Sequence, residues 1–240
     1  SILGFEIRKK NNFNDRYKDL IVDLEEFDEK NIDIAKNLAL NKKENLWSII
    51  QSIKHISENN IEGDLVECGV FKGGSLGLMS VYAQKHSLEC RIFGYDTFED
   101  GFSFVAHTEY DISYKTKKVA KMESVKNFYP TVSEVKNNLN KFDFKEKYLP
   151  ILIKGDVLKT LKINENLPEK ISFLRLDTDL YKTTKLQLEI LYPRLQQGGI
   201  LHIDDYGLCP GVKKAVDDYF SKSKIWLHRV DLSCRLMIKN

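Results

Sequence analysis

Several protein classes are excluded by what this chain does not contain. Its 37 basic and 35 acidic residues almost cancel, leaving a net charge of +2 over 240 residues. There is thus no electrostatic footprint for nucleic acid or for an anionic membrane surface. The local basic run YKTKKVAK (114–121) reads as a solvated helix face. Four cysteines, Cys68, Cys90, Cys209 and Cys234, stand apart with no C-x-x-C pair. That spacing suggests neither a zinc site nor a disulfide framework, and predicts thiols kept reduced. No stretch nears the roughly eighteen consecutive apolar residues of a membrane-spanning helix. The opening SILGFEIRKK lacks the charged-then-apolar order of a signal peptide. A cytoplasmic location is therefore expected, with no nucleic-acid and no membrane partner. Internal repeats and low-complexity segments are also missing.

What is present is an ordinary globular composition, 42% hydrophobic and 30% charged, at a length that suits one sizeable core. Residues 1–60 are polar and rich in Asn and Lys, and are expected to form a mainly helical extension. Within them, ENLWSIIQSIKHISENN (44–60) spaces Leu46, Ile49, Ile50, Ile53 and Ile56 by three and four residues. This is an amphipathic helix. A cap over a site, or a contact in a homo-oligomer, would each explain it.

Residues 61–240 are expected to form the main domain, because from Gly63 the chain alternates between short apolar runs and longer amphipathic ones. Strands are predicted at 64–68, 91–96, 149–154, 171–176, 199–204, 226–231 and 234–239. Helices are predicted at 74–86, 116–127, 131–141, 182–195 and 211–222. Alternating β and α units imply an α/β fold, a mostly parallel sheet with helices on both faces. The last two strands are separated by about two residues, too few for a crossover, and must pair as an antiparallel hairpin. A seven-stranded, Rossmann-like sheet finished in this way is the pattern of class I methyltransferases. The G-x-G-x-x-G of a dinucleotide dehydrogenase is missing from the turn after the first strand.

In open sheets of this kind ligands bind beyond the carboxyl ends of the strands, and that is where this chain concentrates its acids. DLVECGVFKGGSLGL (64–78) turns from strand to helix through Gly69, Gly73 and Gly74, which let the backbone approach a ligand closely. RIFGYDTFEDG (91–101) ends its strand on Asp96, placed either to accept hydrogen bonds from ribose hydroxyls or to cap a turn. Gly155 and Asp156 end the next strand, at an adenine edge or at a helix cap. ISFLRLDTDLYKTT (171–184) and GGILHIDDYG (198–207) then finish on Asp177 and Asp179, and on Asp204 and Asp205. Carboxylates converging from neighbouring strand ends repel one another unless a proton or cation intervenes. A hard divalent ion such as Mg²⁺ takes such oxygen ligands. Asp179 either joins them or caps the helix that follows. His202 shares a strand face with Asp204 and reads as a core histidine.

VECGVFKGGS, GYDTFEDG, LRLDTDLYKTT, LYPRLQQGGILHIDDYG and GVKKAVDDYF together resemble the macrocin O-methyltransferase family of sugar O-methyltransferases (the TylF and MycF type). The likeness runs from about Gly63 to Phe220. It implies dependence on S-adenosylmethionine and Mg²⁺, and methyl transfer to a hydroxyl of a sugar or glycoside. By resemblance, Asp177, Asp204 and Asp205 match metal ligands. Glu67, Gly69, Val70, Ser75, Asp96, Thr97, Gly155, Asp156 and Asp177 match positions around the cofactor. The catechol O-methyltransferases are a more distant likeness, with the same strand-end acids and a Glu eight residues before a Ser, as in Glu67 and Ser75. Their catalytic Lys, three residues after the first metal acid, is replaced here by Leu180, and Asp205 stands where they have Asn. For the general base two candidates stay open. One is His107, in the aperiodic segment GFSFVAHTEYDISYK (101–115), a candidate lid; the other is Asp177. A phenolic acceptor, or a non-enzymatic binding protein on the same fold, are the competing readings.

Overall fold

The computed structural model describes residues 23–101, 107–112 and 129–240. The predicted helix at 116–127 lies outside the described residues, as do most of the first twenty-five positions.

Seven strands form one sheet in the order β3-β2-β1-β4-β5-β7-β6. They are β1 (Asp64–Cys68), β2 (Ile92–Asp96), β3 (Ile151–Lys154), β4 (Ile171–Leu176), β5 (Leu195–Ile203), β6 (His228–Arg229) and β7 (Arg235–Ile238). The first five are mutually parallel, and β7 runs antiparallel to both β5 and β6. β1 and β4 are neighbours, and the chain leaves them in opposite directions, to β2 and β3 on one side and to β5 on the other. Their carboxyl ends therefore open the crevice in which such folds bind ligands.

One sheet face is covered by α1 (Glu26–Lys36), α2 (Lys43–Glu58), α3 (Gly74–Lys85) and α4 (Val132–Leu139), which share a core with Leu65, Phe173 and Ile200. The other face carries α5 (Val157–Thr160), α6 (Tyr181–Ile190) and α7 (Pro210–Tyr219), packed on Val66, Leu174 and Leu201. The split follows the alternation of side chains along each strand. Residues 26–58 thus supply part of a core layer: Ile32, Leu46, Ile49, Ile53 and Ile56 are fully buried in it.

Among the predicted boundaries that shift, three do so for a clear local reason. α6 ends at Ile190, and Tyr192–Arg194 form a 3₁₀ turn, because Pro193 lacks the N–H that a longer helix requires. β5 begins at Leu195 because the strand passes through Gly198 and Gly199 by a register shift against β4. β6 is short because Asp231 Oδ1 accepts the N–H groups of Ser233 and Cys234, both at 2.7 Å, and bends the chain away from the ladder. No helix among the described residues is long and apolar enough to cross a membrane.

Candidate functional site

The alternation that builds the core also builds the site, in tiers along one face of the sheet. Leu65, Phe173 and Ile200 are registered neighbours on β1, β4 and β5. Two residues on, the same three strands place Glu67, Arg175 and His202 side by side. Two further, the strands have ended, and Gly69, Asp177 and Asp204 stand at the rim. The face passes from apolar to buried polar to open cavity.

That cavity holds about 400 Å³. One side of its wall is the β1–α3 turn (Gly69, Val70, Phe71 and Ser75), with Asp96 and Thr97 from the end of β2, and Asp156 and Val157 after β3. The other side is acidic, with Asp177, Asp179, Asp204 and Asp205. Gly69 is required where it stands. Its φ is +92°, and a Cβ there would lie 1.7 Å from the carbonyl oxygen of Asp177, so the close meeting of β1 and β4 excludes any side chain.

Asp96 holds the turn in shape. Its Oδ2 accepts the N–H groups of Val70 (2.7 Å) and Phe71 (2.9 Å), and its Oδ1 that of Phe98 (2.7 Å). A ribose would meet the lone pairs these bonds leave. Asp156 caps α5 through Leu158 N–H at 2.9 Å while also facing the cavity. Glu67, Gly155 and His107 are not among the residues that line the cavity. Glu67 lies behind the wall, fully buried, accepting bonds from Ser75 Oγ and from Arg175. Burial is the main reason its carboxyl is raised to about 7, against the lowering effect of Arg175.

Arg175 is the residue that sequence reasoning passed over. Fully buried, it donates from Nη1 to Glu67 Oε1 and Asp177 Oδ2, and from Nη2 to Asp204 Oδ2, each at 2.6 Å. The signal is legible: an arginine inside an apolar parallel strand has to be paired, and the neighbouring strands carry acids to pair it. Asn41 and Asn45 gave no such signal. Their side-chain amides donate to Asp204, Asn41 at 2.6 Å and Asn45 at 3.3 Å, bringing α2 and the segment before it to the site. His202 bonds to Ser48 Oγ at 3.0 Å. Burial and then the Arg175 charge hold its pKa well below the ordinary value, so it is a neutral core residue.

Asp205 and Asp179 both have positive φ, +58° and +61°, which turns their carboxyl groups toward each other. With Cys209 they offer ligand atoms all within 4.8 Å of one another. Asp177 and Asp204 are held instead by Arg175. Burial raises the Asp205 carboxyl to about 9, with Asp179 and Asp204 adding to the rise, and that of Asp179 to about 6, against the lowering effect of its hydrogen bond with Asp205. Burial also puts Asp177 well above the ordinary range, helped by Asp204 and Asp205 and opposed by Arg175. A concentration of hard oxygen donors, more carboxyl groups than one guanidinium can keep ionised, fits a divalent cation of the Mg²⁺ type.

Comparison with known proteins adds identity to this geometry. Residues 32–237 match the family model described as macrocin-O-methyltransferase (TylF). A demethyldecarbamoylnovobiocin O-methyltransferase of Streptomyces niveus is 33% identical over 183 residues, covering 75% of this chain and 66% of the relative. A mycinamicin III 3''-O-methyltransferase of Micromonospora griseorubida is 26% identical over 181 residues, covering 71% and 66%. The match thus spans just under two thirds of the length of these relatives. Among solved structures, the O-methyltransferase NovP superposes with a TM-score of 0.74 at 28% identity, over 85% of this chain and 82% of that one. The calicheamicin methyltransferase CalS11 shares the fold, with a TM-score of 0.63 at 20% identity over 92% and 95%. With its family model matched over most of its length, the chain belongs to the macrocin-O-methyltransferase (TylF) family.

Proposed function

We propose that this protein is an S-adenosylmethionine-dependent O-methyltransferase that works with a bound divalent cation, Mg²⁺ or a similar hard ion, on a hydroxyl of a sugar or glycoside. The observation that carries the reading is a single cavity with two unlike walls, a glycine turn tied by Asp96 on one side and four carboxylates on the other. Family membership, and relatives named as O-methyltransferases, one of them for a rhamnosyl-tetracenomycin, support it further. Four free thiols agree with work in a reducing cytoplasm.

Gly69, Val70, Ser75, Asp96, Thr97 and Asp156 would hold the cofactor, and Asp177, Asp204 and Asp205, with Asp179 beside them, the cation. The cofactor supplies an electrophilic methyl group, and the cation makes a hydroxyl more acidic. The chain's own part is to bring both ligands into one cavity. It also supplies a carboxylate to receive the hydroxyl proton. Asp177 is the better placed of the two base candidates: it lines the cavity, His107 does not, and Arg175 engages only its Oδ2.

Calorimetric titration with S-adenosylmethionine, followed by methyl transfer to a panel of glycosides with and without Mg²⁺, tests the reading. Micromolar cofactor binding and cation-dependent transfer, lost in Asp205→Ala with cofactor binding retained, are expected. A folded protein that binds no cofactor overturns it.

A further inference from the structure

An unusual group among the described residues is the buried guanidinium of Arg175, and its position suggests more than charge balance. It sits between two half-sites that otherwise meet where Gly69 packs on the Asp177 carbonyl. On the cofactor side it holds Glu67, which in turn holds Ser75 on the cavity wall at the start of α3. On the cation side it holds Asp177 and Asp204. A guanidinium presents several donors in a fixed plane, and here one plane serves three carboxylates from β1, the end of β4 and the end of β5. Its other neighbour in the row, His202, is a neutral side chain already bonded to Ser48, so the three carboxylates alone share its charge.

We infer that Arg175 is a positioning residue that couples the cofactor half of the site to the cation half. A divalent cation at Asp177 and Asp204 draws on the same carboxylates that Arg175 holds from inside. The guanidinium then bears more fully on Glu67, which fixes Ser75 and the wall around it. Cofactor and cation therefore favour each other's binding, and by linkage the effect is reciprocal. Glu67, behind the cavity wall, still sets the strength of the cation site by taking its share of the guanidinium. The inference rests on the proposed methyltransferase function.

The test is Mn²⁺ titration, followed by electron paramagnetic resonance, with and without S-adenosylhomocysteine. It is run on the wild type, Arg175→Lys and Glu67→Gln, with folding checked by circular dichroism. In the wild type, S-adenosylhomocysteine should tighten Mn²⁺ binding about fivefold or more. Arg175→Lys keeps a positive charge but loses the three-way geometry, so the gain should fall below about twofold. Glu67→Gln preserves shape and an acceptor for Ser75, yet leaves the guanidinium wholly on Asp177 and Asp204. It should weaken Mn²⁺ severalfold without altering any residue of the cation wall, which a merely structural Glu67 would not do. Should Arg175→Lys fail to fold, Glu67→Gln decides the matter. Mn²⁺ affinity unchanged within twofold in Glu67→Gln, or wild-type coupling in Arg175→Lys, overturns the inference and leaves the methyltransferase reading standing. A folded wild type that binds no S-adenosylhomocysteine removes both.

Discussion

At the scale of single residues, the paired carboxyl groups of Asp179 and Asp205 give the protein a pH dependence with a definite sign. Their folded-state values, about 6 and about 9, both lie above the ordinary carboxyl value near 3.8. The native state therefore binds more protons than the unfolded chain across that interval. The stability these groups contribute is complete below about pH 4 and is lost as pH rises through 6 and then toward 9. Metal-free protein should accordingly melt at progressively lower temperature from pH 6 to pH 9, and Asp205→Asn should flatten that decline. A wild-type melting curve independent of pH over this range would show that the two carboxyl groups do not interact as described. Gly69 permits a second test at the same scale. Gly69→Ala places a methyl group against the Asp177 carbonyl and demands a positive φ. A loss of roughly 2–4 kcal/mol in urea unfolding is expected, with cofactor affinity falling as the β1–β4 contact opens.

At the scale of elements, what the sequence revealed depended on whether the periodic signal was left intact. β1 and β4 are found where their apolar runs placed them, and α2 follows the three-four spacing of its isoleucines. α1 went unnoticed because its inner face includes Asp28 and Asn31, both buried, which interrupt the apolar stripe. Asp28 is tied instead to the hydroxyl of Tyr82 on α3, a partner 54 residues away that no local pattern announces. The site divides in the same way. Acids at strand ends could be read from the strands themselves, whereas Asn41 and Asn45 reach Asp204 across about 160 residues of chain. α2 thus does two things, packing one face on the core and delivering Asn45 and Ser48 toward the site. The two roles are separable. Ile53, fully buried, can be cut to Ala at a cost of about 3 kcal/mol, measured by urea unfolding, while the Mn²⁺ affinity of the folded protein stays near wild type.

At the scale of the whole molecule, the mouth of the cavity joins parts of the chain that lie far apart in sequence. Leu40 precedes α2, Leu208 follows β5, and Leu232 sits in the turn between β6 and β7; all three line the cavity and are 78%, 48% and 53% exposed. Exposed leucines above a floor of carboxylates make a boundary between apolar and polar within one binding space. A sugar hydroxyl suits the floor, and an apolar group attached to the sugar suits the rim. On the proposed function, a glycoside with an apolar aglycone should therefore be a better acceptor than the free sugar. Covering a half-exposed leucine contributes on the order of 1 kcal/mol, so two of them should raise kcat/KM by roughly tenfold or more. Leu208→Ser combined with Leu232→Ser should remove that advantage, raising KM for the glycoside with little change for the free sugar. Both side chains are already partly in solvent, so the double variant should retain its fold and its cofactor affinity. Equal losses for glycoside and free sugar would instead place the leucines in the architecture of the cavity, leaving the aglycone to other contacts.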